Sequence, residues 1–364
     1  MRDPVTPRGR YEAVGTEGRL AAIVSGVLAV VVMLGVIAAI FLFLIKATEN
    51  AQEPAADAAG KTHAGPAAAA KGPQEAAAMA DCPNCPIMVT IPPGMFLMGV
   101  HAEEADADNV PAMQRQAEQP LHGVTVRDPI ALGQTEVTRG QFAVFVAETN
   151  HQSLGCMVND GRSWIIDRTK SWRDPGFSQD DQHPVVCVNY EDAEAYTAWL
   201  TRKTSKRYRL PTETEWEYAA RAGAANGKPW GEIPALACAH GKVADRSHAA
   251  RFSRKTALMF FPCETGYAFT APVAHYQANG FGLFDVYGNV REVVADCWNP
   301  NYWGKGIGTK AQRSGASDTA VLRGGGWYDA PSNIRPARRF RADRSLRRAD
   351  QGFRVAKDLP VTVN

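Results

Sequence analysis

No charged residue interrupts the chain from Leu20 to Ile45, and a run like that cannot share one small core with the polar sequence on either side. As a helix rising 1.5 Å per residue it spans roughly 39 Å, enough to cross a hydrocarbon layer about 30 Å thick with some tilt. A cleavable signal peptide is the competing reading. Its apolar region is usually about 7–15 residues and ends in small residues. This run is longer and ends in Phe41-Leu42-Phe43-Leu44-Ile45-Lys46. Arg2, Arg8, Arg10 and Arg19 precede it, whereas only Lys46 and Lys61 are basic in a comparable stretch after it. The bias of basic residues towards the cytoplasm then makes 1–19 a cytoplasmic tail and 20–45 a single transmembrane helix. The rest is expected in the periplasm, tethered to the cytoplasmic (inner) membrane.

Residues 46–81 are rich in Ala and Pro without apolar periodicity and read as a linker. A globular domain is expected over 82–358, with a short tail at 359–364. Hydrophobic residues make up 45% of the chain, enough for a real core. Lys+Arg number 40 against 38 Asp+Glu, a balance without the basic excess of a general nucleic-acid binder. With 23 Pro and 32 Gly the domain reads as loop-rich. Seven cysteines, Cys82, Cys85, Cys156, Cys187, Cys238, Cys263 and Cys297, suit disulfides in an exported domain, and the odd count leaves one over. The lone C-x-x-C, Cys82 to Cys85, lacks the second pair that zinc would need and reads as a structural bridge, with a redox role as the alternative.

Three helices are legible. Thr138 with Gln141 forms a capping box ahead of Phe142, Phe145 and Val146. Asn189 caps a segment bearing Ala193, Tyr196, Trp199 and Leu200. Thr212 with Glu215 starts a third, carrying Trp216, Ala219 and Ala220, and Gly223 is its natural stop. Strands are expected at 87–91, 123–126 and 352–356. The region 224–351 is punctuated by Gly, Pro and Asn and reads as largely irregular.

Several segments then form an ordered set: Ile91-Pro92-Pro93-Gly94-Met95-Phe96-Leu97-Met98-Gly99, Glu136-Val137-Thr138, His183-Pro184-Val185-Val186, Tyr208-Arg209-Leu210-Pro211-Thr212-Glu213 with Glu215-Trp216-Glu217, Gly280-Phe281-Gly282-Leu283-Phe284-Asp285, Gly288-Asn289-Val290, Leu322-Arg323-Gly324-Gly325-Gly326-Trp327 and Gly352-Phe353-Arg354. In this order they resemble the formylglycine-generating enzyme family, also called the sulfatase-modifying-factor family, over roughly 86–357. The resemblance implies an α+β, C-type-lectin-like fold with little regular secondary structure. It also implies a calcium site made by the side chain of Asp285, the carbonyls of Gly288 and Val290, and the carboxylate of Glu292. Two carboxylates seven apart across a Gly-Asn turn suit a hard cation on their own terms. The alternative is a solvated Asp and a Glu bonded to Arg291 or a backbone amide. A second calcium site of the family looks degraded, because Thr265 stands where an acidic residue is usual.

Two departures bear on activity. The founding enzymes oxidise a sulfatase cysteine with a copper-binding cysteine pair after a Gly-Gly-Ser-Trp/Tyr motif. Here that segment, Trp327 to Arg335, contains no cysteine, and copper(I) needs soft thiolates. The family's Gly-Asn-Val-Trp-Glu-Trp motif reads Gly288-Asn289-Val290-Arg291-Glu292-Val293, with both tryptophans replaced. Copper is therefore not expected; nor is iron, because the histidines are scattered and no H-E-x-x-H pattern exists, and no catalytic residue is assigned. Trp327, Tyr328, Asp329 and Arg335 are the candidate pocket, with His275 a further neighbour. Arg335, Arg338, Arg339, Arg341, Arg344, Arg347, Arg348 and Arg354 crowd one stretch, as an anion-binding surface or as internal ion pairs. Gly304 to Lys310 looks like a phosphate loop but lacks the spacing.

The expectation is an anchored accessory or maturation factor acting on an exported protein, peptide or pathway. The alternatives are a calcium-rigidified, lectin-like module binding a glycan, peptide or protein, and an oxidase with a relocated pair such as Cys82 and Cys85.

Overall fold

Each of the three helices expected from capping chemistry begins on its expected cap. We describe them in a computed structural model that covers residues 78–224, 227–252, 259–304, 308–313 and 316–359. The tail 1–19, the helix expected over 20–45 and nearly all of the linker lie outside the described residues. Among the described residues, no helix is long and apolar enough to cross a membrane.

Among the described residues the α-helices are α1 (Ala102–Ala107), α2 (Ala112–Ala117), α3 (Arg139–Thr149), α4 (Tyr190–Thr204), α5 (Glu213–Arg221) and α6 (Arg246–Phe252). Thr138, Asn189 and Thr212 each close a full capping box at the start of α3, α4 and α5, and each box is worth about 1 kcal/mol or more. Helix α5 stops at Ala222, which turns left-handed with Gly223 directly after it.

The strands among the described residues are β1 (Met79–Ala80), β2 (Ile87–Ile91), β3 (Gly94–Met98), β4 (His122–Val126), β5 (Ile130–Gly133), β6 (Cys156–Asn159), β7 (Trp164–Asp167), β8 (Tyr208–Arg209), β9 (Arg291–Trp298), β10 (Ala316–Arg323), β11 (Phe340–Asp343), β12 (Gln351–Gly352) and β13 (Ala356–Asp358). An antiparallel sheet orders them β1-β2-β5-β13-β8, and a second sheet β11-β10-β9-β12, with β12 parallel to β9. The hairpins β3-β4 and β6-β7 stand apart. One core packs α3 and α4 around Phe142, Tyr196, Leu200 and Phe353; another gathers on Trp216 of α5 with Leu132, Leu283, Val294 and Val321.

Three expectations need correcting. The domain is ordered before residue 82, because Met79–Ala80 pairs with Ile87–Met88 and Asp81 is held by Lys206, Tyr208 and Lys357; two residues give no periodicity to read. The strand expected over 352–356 is split into β12 and β13, which serve different sheets. The region 224–351 holds the two longest strands, β9 and β10. Strand β9 is buried at every interior position, so the polar-apolar alternation that marks a half-exposed strand never arises.

All seven cysteines are accounted for. Bridges join Cys82 to Cys85, Cys156 to Cys187 and Cys238 to Cys263, and Cys297 is free and buried in β9.

Candidate functional site

The turn between Asp285 and β9 gathers buried charge. Gly288 has φ of +92°, and a Cβ there would sit 2.2 Å from the Lys242 carbonyl oxygen, so only glycine lets the chain pass. Asn289, also left-handed, donates from its amide to Glu136 Oε2 at 3.1 Å and accepts from the Ala271 N–H at 3.1 Å. Glu136 Oε1 in turn accepts from the Val290 N–H at 3.3 Å.

Glu136, Asp285 and Glu292 are all within 1% of full burial. Their one guanidinium is Arg354, which reaches Glu292 through Nε at 2.6 Å and Nη2 at 2.7 Å. Trp216 Nε1 donates to the same carboxylate at 2.8 Å. Burial and the neighbouring charges of Asp285 and Glu292 push the Glu136 carboxyl well above the usual range. Burial pushes Asp285 up to about 6, and the Glu292 charge adds to it. Asp285 Oδ2 accepts from the Ala274 N–H at 2.8 Å, while Oδ1 is buried without a partner. Three carboxylates against one guanidinium, with one oxygen orphaned, fit a cation. Glu292 Oε1 accepts a single bond, so a lone pair remains on it. Among the described residues, no three His, Cys, Asp or Glu side chains converge to hold a metal by themselves, so a cation here must draw on backbone carbonyls.

Beside this group lies Lys242, fully buried, whose Nζ donates to the Val243 carbonyl and stands 3.5 Å from Asp245 Oδ1. Asp245 also accepts from the His248 N–H at 2.9 Å and the Thr265 hydroxyl at 2.6 Å. Sequence reasoning missed Glu136 as part of this charge cluster, although its motif was visible, and missed Lys242, for which no signal existed.

The candidate pocket residues take different places. Trp327 is fully buried, donates Nε1 to the Ala349 carbonyl at 2.9 Å, and sits among Trp164, Phe177, Phe252, Phe269 and Tyr328. Asp329 is clamped by Arg291, through Nε at 2.7 Å and Nη2 at 2.5 Å, and takes the Gly326 N–H at 2.9 Å. Arg291 of the Gly288-Asn289-Val290-Arg291 run and the cysteine-free segment after Gly326 thus meet in one ion pair. Arg335 points elsewhere, into a bidentate pair with Glu118 at 2.7 and 2.8 Å. His275 is exposed and packs against Tyr267 and Tyr276.

The arginine-rich stretch is mostly internal wiring. Arg339 binds Glu213, Arg347 binds Asp192, Arg348 binds Asp350, and Arg344 lies over Tyr190 with Glu191 and Glu194 nearby. Arg338 stacks on Phe340, and Arg341 is exposed. The Gly304–Lys310 segment falls partly outside the described residues.

Comparison with known proteins places this geometry. The sulfatase-modifying factor enzyme 1-like domain model matches residues 74–359. The formylglycine-generating enzyme of Streptomyces coelicolor is 32% identical over 306 residues, covering 75% of this chain and 90% of that protein. A mouse protein named inactive C-alpha-formylglycine-generating enzyme 2 is 30% identical over 281 residues, covering 67% of this chain and 75% of its own. Among solved structures, PvdO from Pseudomonas aeruginosa aligns with a TM-score of 0.64 and 33% identity, over 79% of this chain and 99% of that one.

Proposed function

The chain belongs to the sulfatase-modifying factor enzyme 1-like family, and from that premise we propose that it is a non-oxidising member, an accessory or maturation factor for an exported protein, peptide or pathway. The carrying observation is the state of its cysteines. Six are tied in disulfides, the seventh is buried in β9, and the segment after Gly324-Gly325-Gly326 presents Asp329 locked to Arg291. No thiolate pair is left to bind copper, the soft ligand set that copper(I) chemistry requires. The relative named as inactive in mouse supports a family branch without the reaction. Three disulfides suit an oxidising compartment, and Leu20–Ile45 would tether the domain there. We further propose that calcium is held between the Asp285 side chain, the Gly288 and Val290 carbonyls and Glu292, as a rigidifier of the turn.

The test is the full chain, with copper supplied, against a cysteine peptide of the sulfatase type, read by mass spectrometry. The expected result is unchanged cysteine. Conversion to formylglycine at the rate of a parallel sample of the Streptomyces coelicolor enzyme would overturn the reading.

A further inference from the structure

A cavity of about 730 Å³ lies against β3, α1 and α5, within the range of small-molecule sites. Its walls are apolar: Met95, Phe96 and Leu97 of β3, Ala107 of α1, and Tyr218 of α5. Met95 is 80% exposed and Leu97 48%, an unusual amount of bare apolar surface on one short strand. Glu104 of α1 also lines the cavity. It is 9% exposed, and both its carboxylate oxygens are buried with no hydrogen-bond partner. Such a group costs stability unless something completes it.

The cations near it are already engaged. Arg221 itself lines the cavity, but it donates Nε to Glu217 at 2.9 Å and Nη2 to the Gly99 carbonyl at 2.7 Å. Arg335 is paired with Glu118, and Lys228 with Asp108 at 2.6 Å. Glu103 and Glu232 add carboxylates to the lining, with His101 beside them. An apolar chamber with an unpartnered acid and an acidic rim is complementary to a positive charge on an apolar stem.

We propose that this cavity binds a primary ammonium carried on an aliphatic or aromatic stem, with Glu104 as its counter-ion. The stem takes the surface of Met95, Leu97 and Tyr218, and the ammonium supplies the donors that Glu104 lacks. The source is either a small free amine or a lysine side chain of a polypeptide. This inference does not depend on the reading of the cysteines.

The cavity also dictates a pH dependence. Burial pushes Glu104 up to about 7, and the charges of Glu217 and Asp108 act in the same direction while Arg221 and Arg335 oppose it. Binding an ammonium requires the carboxylate, so below about pH 7 each bound ligand expels one proton. Affinity should then rise about tenfold from pH 6 to pH 8.

The experiment titrates the full chain by calorimetry with phenethylamine, its uncharged analogue 2-phenylethanol, and Nα-acetyl-lysine amide, at pH 6 and pH 8. Binding of either amine, absent for the alcohol and stronger at the higher pH, supports the proposal. Which amine binds identifies the source. Glu104→Gln keeps the shape and should abolish binding while leaving the melting temperature equal or higher. If that variant fails to fold, the comparison of amine with alcohol decides on the wild type alone. Equal binding of alcohol and amine, or no binding of either amine at millimolar concentration, overturns it.

Discussion

Next to the Gly288-Asn289 turn, three buried carboxylates share one guanidinium, while on the chain segment that meets this turn one buried carboxylate faces one ammonium. The first group, Glu136, Asp285 and Glu292 with Arg354, is short of positive charge and leaves Asp285 Oδ1 unpartnered. The second, Asp245 with Lys242, is balanced, and Asp245 gains further donors from His248 and Thr265. The Thr265 hydroxyl donates where an acidic side chain would have added a second negative charge. A cation supplied by the chain itself needs no outside ligand; a cation deficit does. The difference teaches that only the first of the two groups should respond to added metal.

The largest effect should come from removing the one positive charge of the deficient group. Arg354→Met leaves Glu292 buried against Glu136 and Asp285, at a cost of about 3–5 kcal/mol in denaturant unfolding. A cost under about 1 kcal/mol would mean that the three carboxylates are neutralised some other way, and the comparison would fail.

Calcium should separate the two groups next. At a hundredfold excess over its dissociation constant it should stabilise the full chain by about 2.7 kcal/mol over a chelated sample. Asp285→Gly should abolish that gain, and glycine accepts the local φ of +56° without strain. An undiminished calcium response in that variant would move the ion away from this turn.

Lys242→Met should cost less, about 2 kcal/mol, because Asp245 keeps its bonds from His248 and Thr265. Its response to calcium should equal that of the wild type. A variant that gains a new calcium response would show that the ammonium had been excluding a metal.

What the sequence disclosed follows the range of the interactions involved. Helix caps act over about three residues, so Thr138 and Thr212 with their boxes, and Asn189 as a cap, were visible directly. Strands β9 and β10 were not, since a strand buried on both faces has no alternation and the Gly-rich flanks read as loop. At the site, Asp285 and Glu292 were singled out by the family resemblance, with their spacing across a tight turn in keeping. Glu292 pairs with Arg354, 62 residues on, and Arg335 with Glu118, 217 residues back, and no local pattern encodes such partners. The crowding of arginines was visible, but the carboxylates that pair with them are distributed over the whole fold, so anion-binding surface and internal ion pairs both stayed open for most of them.

The smallest effect is also the most specific to a tethered cation, because an ammonium titrates and a calcium ion does not. Burial pulls Lys242 down from 10.5 to about 8, against the opposing attraction of Asp245. Between those values the unfolded chain holds the proton and the fold has released it. Stability at this site therefore rises with pH once pH passes about 8, and below it the full penalty of the buried charge is present. Alkaline titration of other groups also moves the total, so the informative quantity is wild type minus Lys242→Met. That difference should grow by roughly 1 kcal/mol in favour of wild type between pH 7 and pH 9. Asp285→Gly measured in the same way should show no such growth, since it leaves Lys242 in place. A flat difference for Lys242→Met would mean that its ammonium is stabilised as well as it is in water, and that the balanced group bears no cost for carrying its own cation.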